Sequence, residues 1–229
     1  MSNILIVESK NDKYFIQSLI NYLNCKIEVA PPIYIKENDY KPLGGLDKKK
    51  LEGAIKEVKA EISKKGIQKV GIIIDIDNHT KEERLKFIND CIGNVFPETQ
   101  KISNTGEFVD AITQTGDDVK LSCYFTNIDG QGELETVLKT IKNEDSTHAD
   151  CLEAWKHCIE TKGKQIKDKD LNKFWVNMYI RYDTPSIEEK NQAGTKCTIE
   201  YVMKNKPNIW DFKHPALNDL KEFLKLFCE

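Results

Sequence analysis

The residues that could do chemistry are acids standing where apolar runs stop. Glu8 closes the run 3–8 (NILIVE). Asp75 and Asp77 follow 70–74 (VGIII), the strongest apolar run in the chain. Glu133 and Glu135 come after 121–126 (LSCYFT), just past a turn at Gly130 and Gly132. Carboxylates drawn together repel one another, and a hard divalent cation removes that cost. Mg²⁺ is satisfied by one or two carboxylates, waters and substrate phosphates. A Glu at one strand tip and an Asp-x-Asp at another therefore point to a Mg²⁺ or Mn²⁺ site for phosphodiester chemistry. The single residue between Asp75 and Asp77 would let both carboxylates face the same side of extended chain.

Each acid also has a plainer reading. An Asp after a buried strand often serves as a turn residue or helix cap. Ser9 and Asp12 have the spacing of a capping box, and Asp12 also suits the positive end of a helix dipole. One of Glu133 and Glu135 could be a first-turn acid, and Asn78 could cap the helix that Thr80 begins. Recurrence at three strand tips favours a site over three unrelated caps.

Other chemistries fit less well. His148, Cys151, His157 and Cys158 invite a zinc reading. On one helix, however, Cys151 and Cys158 lie about 10 Å apart, too far for one tetrahedral ion. No Gly-x-Ser-x-Gly elbow occurs. The aromatics Trp155, Phe174, Trp175, Tyr179 and Tyr182 have helical spacing and read first as packing residues. Lys48 to Lys50 form a short basic run, normally a solvated face. Its place after Gly44 and Gly45 would let Lys48 meet a phosphate backbone.

Strands and helices alternate through the first half, and these elements must position the acids. Strands are expected at 3–8, 25–30, 70–74, around 107–112, and at 121–126. Helices are expected from Ser9, from about 46 to 65 with Gly66 as its cap, from Thr80, and after Gly132. That alternation implies a parallel sheet covered on both faces. Ligands bind such sheets outside the carboxyl ends of the strands, where the acids stand. Beyond 144 the pattern is mostly helical (about 149–161, 171–182 and 215–227), with a polar loop at 183–197. The reading is an α/β domain at 1–143 and a helical extension at 144–229.

Composition bounds the partners. The 229 residues carry a formal net charge of −3, too acidic for a high-affinity nonspecific nucleic-acid coat. An acidic metal site acting on nucleic acid is still allowed. No apolar run is long enough to span a bilayer. The chain opens on a strand-like segment without a basic-then-apolar leader, so a cytoplasmic location is expected. Seven cysteines, odd in number and scattered without a Cys-x-x-Cys, read as free thiols in a reducing compartment.

VESKND (7–12) followed by IIIDIDN (72–78) resembles the TOPRIM domain of primases, topoisomerases and OLD-family nucleases. Gly44-Gly45, GELE (132–135) and HPALNDLKEFLKLF (214–227) extend the likeness to small stand-alone TOPRIM-like proteins related to OLD nucleases. The resemblance implies a TOPRIM-like, Rossmann-like α/β fold and a nuclease of DNA or RNA using Mg²⁺ or Mn²⁺. It implies that Glu8 binds a metal-bound water or acts as general base or acid, and that Asp75 and Asp77 hold Mg²⁺. Asp12 and Glu135 resemble the further acids of a second metal site, and Lys173 a lysine that neutralises a phosphate. The glycine usual after the first Glu is Ser9 here, which can cap a helix but not supply glycine's backbone freedom.

Two other readings stay open. DIDNHT (75–80) is similar to the Asp-x-Asp-x-Thr/Val of haloacid-dehalogenase phosphatases, with His79 at the last position. A non-catalytic, partner-binding module of the same fold also fits. The low basicity is compatible with delivery to substrate by a partner ATPase or DNA-binding protein. The oligomeric state is not encoded in any of these features.

Overall fold

The computed structural model describes residues 2–33, 46–113 and 115–228. The chain divides into two compact units, Met1–Thr126 with Asn218–Glu229, and Asn127–Leu217. The last segment thus groups with the first unit.

The first unit is built on five strands: β1 (Ser2–Val7), β2 (Glu28–Val29), β3 (Ile67–Asp75), β4 (Val109–Ile112) and β5 (Asp118–Thr126). Their order is β2-β1-β3-β5-β4, with β4 antiparallel and the other pairings parallel. The sheet is of the Rossmann-like α/β class. β1, β3 and β5 are near-continuous apolar runs because helices cover both of their faces.

Helices α1 (Lys10–Tyr22), α2 (Lys48–Lys65) and α3 (Lys81–Val95) connect the strands. Each start is chemically marked. Ser9 and Asp12 form a complete capping box on α1, Asp47 caps α2, and Thr80 and Glu83 form a second box on α3. Gly66 ends α2 at φ 61°, the left-handed conformation that costs glycine least.

Strand alternation sorts the side chains. Ile4, Ile6, Val70, Ile72, Ile74, Leu121, Cys123 and Phe125 join one core with Leu51, Ile55, Val58 and Ile62 of α2 and Ile88, Cys91 and Ile92 of α3. Gly71 lies on the opposite face, under a further helix, α10 (Asn218–Lys225), and the segment after it. Phe223 stacks against Tyr124 at 5.4 Å. The Asn3 side-chain amide and the Lys69 ammonium donate to the carbonyls of Phe227 and Leu226 at 2.7 and 2.6 Å.

A disulfide joins Cys25 to Cys228 with their Cα atoms 5.0 Å apart, which corrects the expectation of seven free thiols. Cys25 follows α1 and Cys228 follows α10, so packing of the last segment on this unit brings together residues 203 apart in sequence. Cys91, Cys123, Cys151, Cys158 and Cys197 are free.

The second unit contains α4 (Leu134–Thr140), α5 (Thr147–Glu160), α6 (Asp168–Met178), α7 (Ile187–Lys190), α8 (Ala193–Lys196) and α9 (Ile199–Asn205). A π-helical turn, Tyr179–Asp183, continues α6. Its core stacks Trp175 on Tyr179, with ring centres 5.0 Å apart, and Tyr179 against Trp210 at 5.1 Å. The Tyr179 hydroxyl donates to the Ile209 carbonyl and accepts from the Glu144 amide, both at 2.9 Å. The expected polar loop 183–197 is instead two single-turn helices, the first capped by a Ser186–Glu189 box. Its few apolar residues hid them. Among the described residues no helix is long and apolar enough to cross a membrane.

A candidate carboxylate site at the switch point of the sheet

Strand order fixes where a ligand can sit. The connection leaving β1 runs to β2 on one side, and that leaving β3 runs towards β5 on the other. The carboxyl ends of β1 and β3 therefore flank the point where the winding reverses, the usual crevice of an open α/β sheet. Val7 pairs with Ile73 in register, so Glu8 and Asp75 leave adjacent strand tips.

Both acids are buried, Glu8 at 1% and Asp75 at 5% exposure. The backbone N–H of Asp75 donates to Glu8 Oε2 at 3.4 Å. Two buried acids thus leave adjacent strand tips, linked by that backbone hydrogen bond.

Asp12 lies on the same unit and is buried. Its Oδ2 accepts from the Ser9 N–H at 2.8 Å and the Ser9 hydroxyl at 2.6 Å. The plainer reading of Asp12 is therefore realised: it fixes the start of α1 directly after Glu8. Serine in place of the usual glycine is what makes this box.

Asp77 departs from the expected geometry. Its φ is 54°, a left-handed conformation that Asp tolerates better than most residues. The chain has left the strand, so alternation no longer places both Asp-x-Asp carboxylates on one side. Asp77 Oδ2 instead accepts from Arg84 Nη2 at 2.8 Å. Arg84, on the first turn of α3, is 4% exposed, and its Nε also donates to the Ile76 carbonyl at 3.2 Å. Sequence reasoning missed Arg84. A signal for it existed: the chain has only two arginines, Arg84 and Arg181, among its 34 basic Lys and Arg residues. Arginine is the residue suited to planar, buried pairing.

Lys48 begins α2 and forms a long, half-exposed ion pair with Asp90 at 4.0 Å. Gly44 and Gly45 lie outside the described residues. Glu135 and Lys173 belong to the second unit, on α4 and α6. There Glu135 is the first-turn acid, half-buried, while Glu133 is buried and accepts from Thr136 Oγ1 at 3.2 Å and Asn172 Nδ2 at 3.4 Å. Lys173 is half-buried beside Phe174.

Among the described residues, no group of three or more His, Cys, Asp or Glu is arranged to hold a metal ion.

The sequence profile described as "Protein of unknown function (DUF3226)" matches residues 2–229. The chain belongs to the DUF3226 family. No curated protein and no solved structure matches it. In this DUF3226 chain the candidates of the first unit are thus two buried acids at a switch point, a capping acid on α1, and Asp77 engaged by a guanidinium.

Proposed function

We propose that this DUF3226 protein is a Mg²⁺- or Mn²⁺-dependent phosphodiester hydrolase acting on DNA or RNA, with Glu8 and Asp75 holding the ion. The observation that carries this reading is the buried carboxylate pair at the carboxyl ends of β1 and β3. Carboxylates at adjacent strand tips of a switch point are groups of the type that ligate a hydrated divalent ion. A bound divalent ion would supply charge stabilisation to a phosphoryl group. In this reading Glu8 would take a proton from an attacking water. Asp12 holds the backbone after Glu8, and Arg84 holds the turn after Asp75 through Ile76 and Asp77.

The Arg84–Asp77 pair supports a second reading, a non-catalytic partner-binding module. It neutralises one acid of the Asp-x-Asp with a protein cation, so that acid needs no metal. The same pair weakens the phosphatase reading, because a carboxylate held by a guanidinium is a poor proton donor.

The test compares wild type with Asp75→Asn and Glu8→Gln. Mn²⁺ binding is followed by calorimetry, and cleavage by gels of supercoiled plasmid, single-stranded DNA and RNA. Wild type is expected to bind the ion and cut at least one substrate. Asp75→Asn should lose ion binding while keeping its thermal melt, and Glu8→Gln should lose roughly 10²-fold or more in rate. Wild type that neither binds Mn²⁺ nor cleaves would transfer belief to the partner-binding reading.

A further inference from the structure

The second unit carries an aromatic surface that the carboxylate site does not use. Trp175 and Tyr179 are core residues, as their spacing predicts, but Trp155 and Phe174 are not. They remain 42% and 47% exposed. Trp155 on α5 and Phe174 on α6 meet edge to face, with ring centres 6.0 Å apart and planes at 80°. Large rings left in water across two neighbouring helices are unusual enough to mark a contact surface.

The segment that joins these two rings is rich in lysine. Between Trp155 and Phe174 the sequence places six lysines against three acids, whereas the chain as a whole is at −3. Lys156 is tied to Asp168 at 2.7 Å. Among the described residues Lys162, Lys164, Lys167 and Lys173 enter no ion pair. Lys156, Lys164 and Lys167, with the acids Glu160 and Asp168, line an open cleft of about 680 Å³ where α5 ends and α6 begins.

We propose that this α5–α6 hairpin binds single-stranded nucleic acid, its lysines tracking the phosphates and Trp155 and Phe174 offering faces to unstacked bases. Base-on-aromatic stacking is available only when bases are out of a duplex, and it tolerates any sequence. The abundance of lysine separates this surface from a protein-docking patch, since lysine is depleted at the centres of protein interfaces. The proposal stands on the second unit alone and does not depend on the carboxylate site being a nuclease.

Trp155 is also the reporter. Trp175 and Trp210 are buried, so fluorescence quenching by an added strand reads Trp155. Full-length protein is titrated with a twenty-nucleotide oligo(dT), and separately with oligo(U), in EDTA, which removes any part for a divalent ion. Saturable quenching whose affinity falls steeply with salt is expected, and the two strands show whether DNA or RNA is preferred. Anisotropy of labelled strands then compares variants. Trp155→Ala with Phe174→Ala, and Lys164→Glu with Lys167→Glu, should each weaken binding at least tenfold with unchanged thermal melts. Trp155→Phe should retain binding. The proposal is overturned if wild type shows no saturable binding, if the double variants bind equally well, or if a duplex of the same length or polyglutamate binds as tightly.

Discussion

Arg84 shows how one residue changes the reading of a motif. Asp-x-Asp at a strand end suggests two metal ligands, but here the second Asp turns into a left-handed conformation and meets a buried guanidinium 2.8 Å away. Removing one partner of a buried pair leaves an uncompensated charge, at a cost of about 3–5 kcal/mol. Arg84→Gln is therefore expected to destabilise the metal-free protein by about 3 kcal/mol in urea titrations. Adding Asp77→Asn to it should recover part of that loss, because the double variant leaves no orphan charge. An Arg84→Gln variant within about 0.5 kcal/mol of wild type, the range of ordinary surface changes, would remove the pair from any structural role. Glu8 and Asp75 were legible in the sequence because each ends an apolar run, and a strand's end can be read from where such a run stops. The partner of Asp77 was not, because a positive φ breaks the periodicity from which side-chain directions are inferred.

At the scale of elements, β3 is the strand on which the site depends, and its weakest-looking residue is its most constrained. Gly71 interrupts an Ile- and Val-rich run, yet a β-carbon there would come within 2.5 Å of Leu5 Cδ2 and 2.8 Å of Phe227 Cζ. The absent side chain is the space into which the Phe227 ring drops. Gly71→Ala should therefore cost about 1–3 kcal/mol through overpacking, with a lower midpoint in urea and an unchanged slope. If the variant is as stable as wild type, Phe227 does not lie against the sheet as described. The caps at Ser9 and Thr80 and the αL glycine at 66 were readable, since each depends on neighbours three or four residues away. The return of α10 to the first unit was not. Its apolar face announces that it packs, but amphipathicity does not name the surface it packs on. The helices within 183–197 were missed for the opposite reason: single turns with few buried residues carry no period to detect.

For the whole molecule, the chain's ends matter more than its nominal boundary. The Cys25–Cys228 disulfide closes a loop that contains nearly all of the protein, including the entire second unit. An odd number of scattered cysteines gave no basis for pairing any two of them. Only the docking of the last segment beside α1 supplies the geometry. Cross-linking so distant a pair restricts the unfolded chain strongly, and Cys228→Ser should lower stability by about 2–5 kcal/mol. The five free thiols divide by burial. Loss of water around Cys91 and Cys123 pushes both thiols up to about 12, and burial also raises Cys197. Cys151 and Cys158 are exposed on α5. Without reductant, the native protein should give two thiols to Ellman's reagent at pH 8, five once unfolded, and seven once reduced and unfolded. Four thiols in the native protein, rather than two, would mean that the clasp is open. Cys228→Ser would then leave stability unchanged, and α10 would be held on the sheet without a covalent link, by contacts that include Phe223, Phe227 and the Asn3 and Lys69 hydrogen bonds.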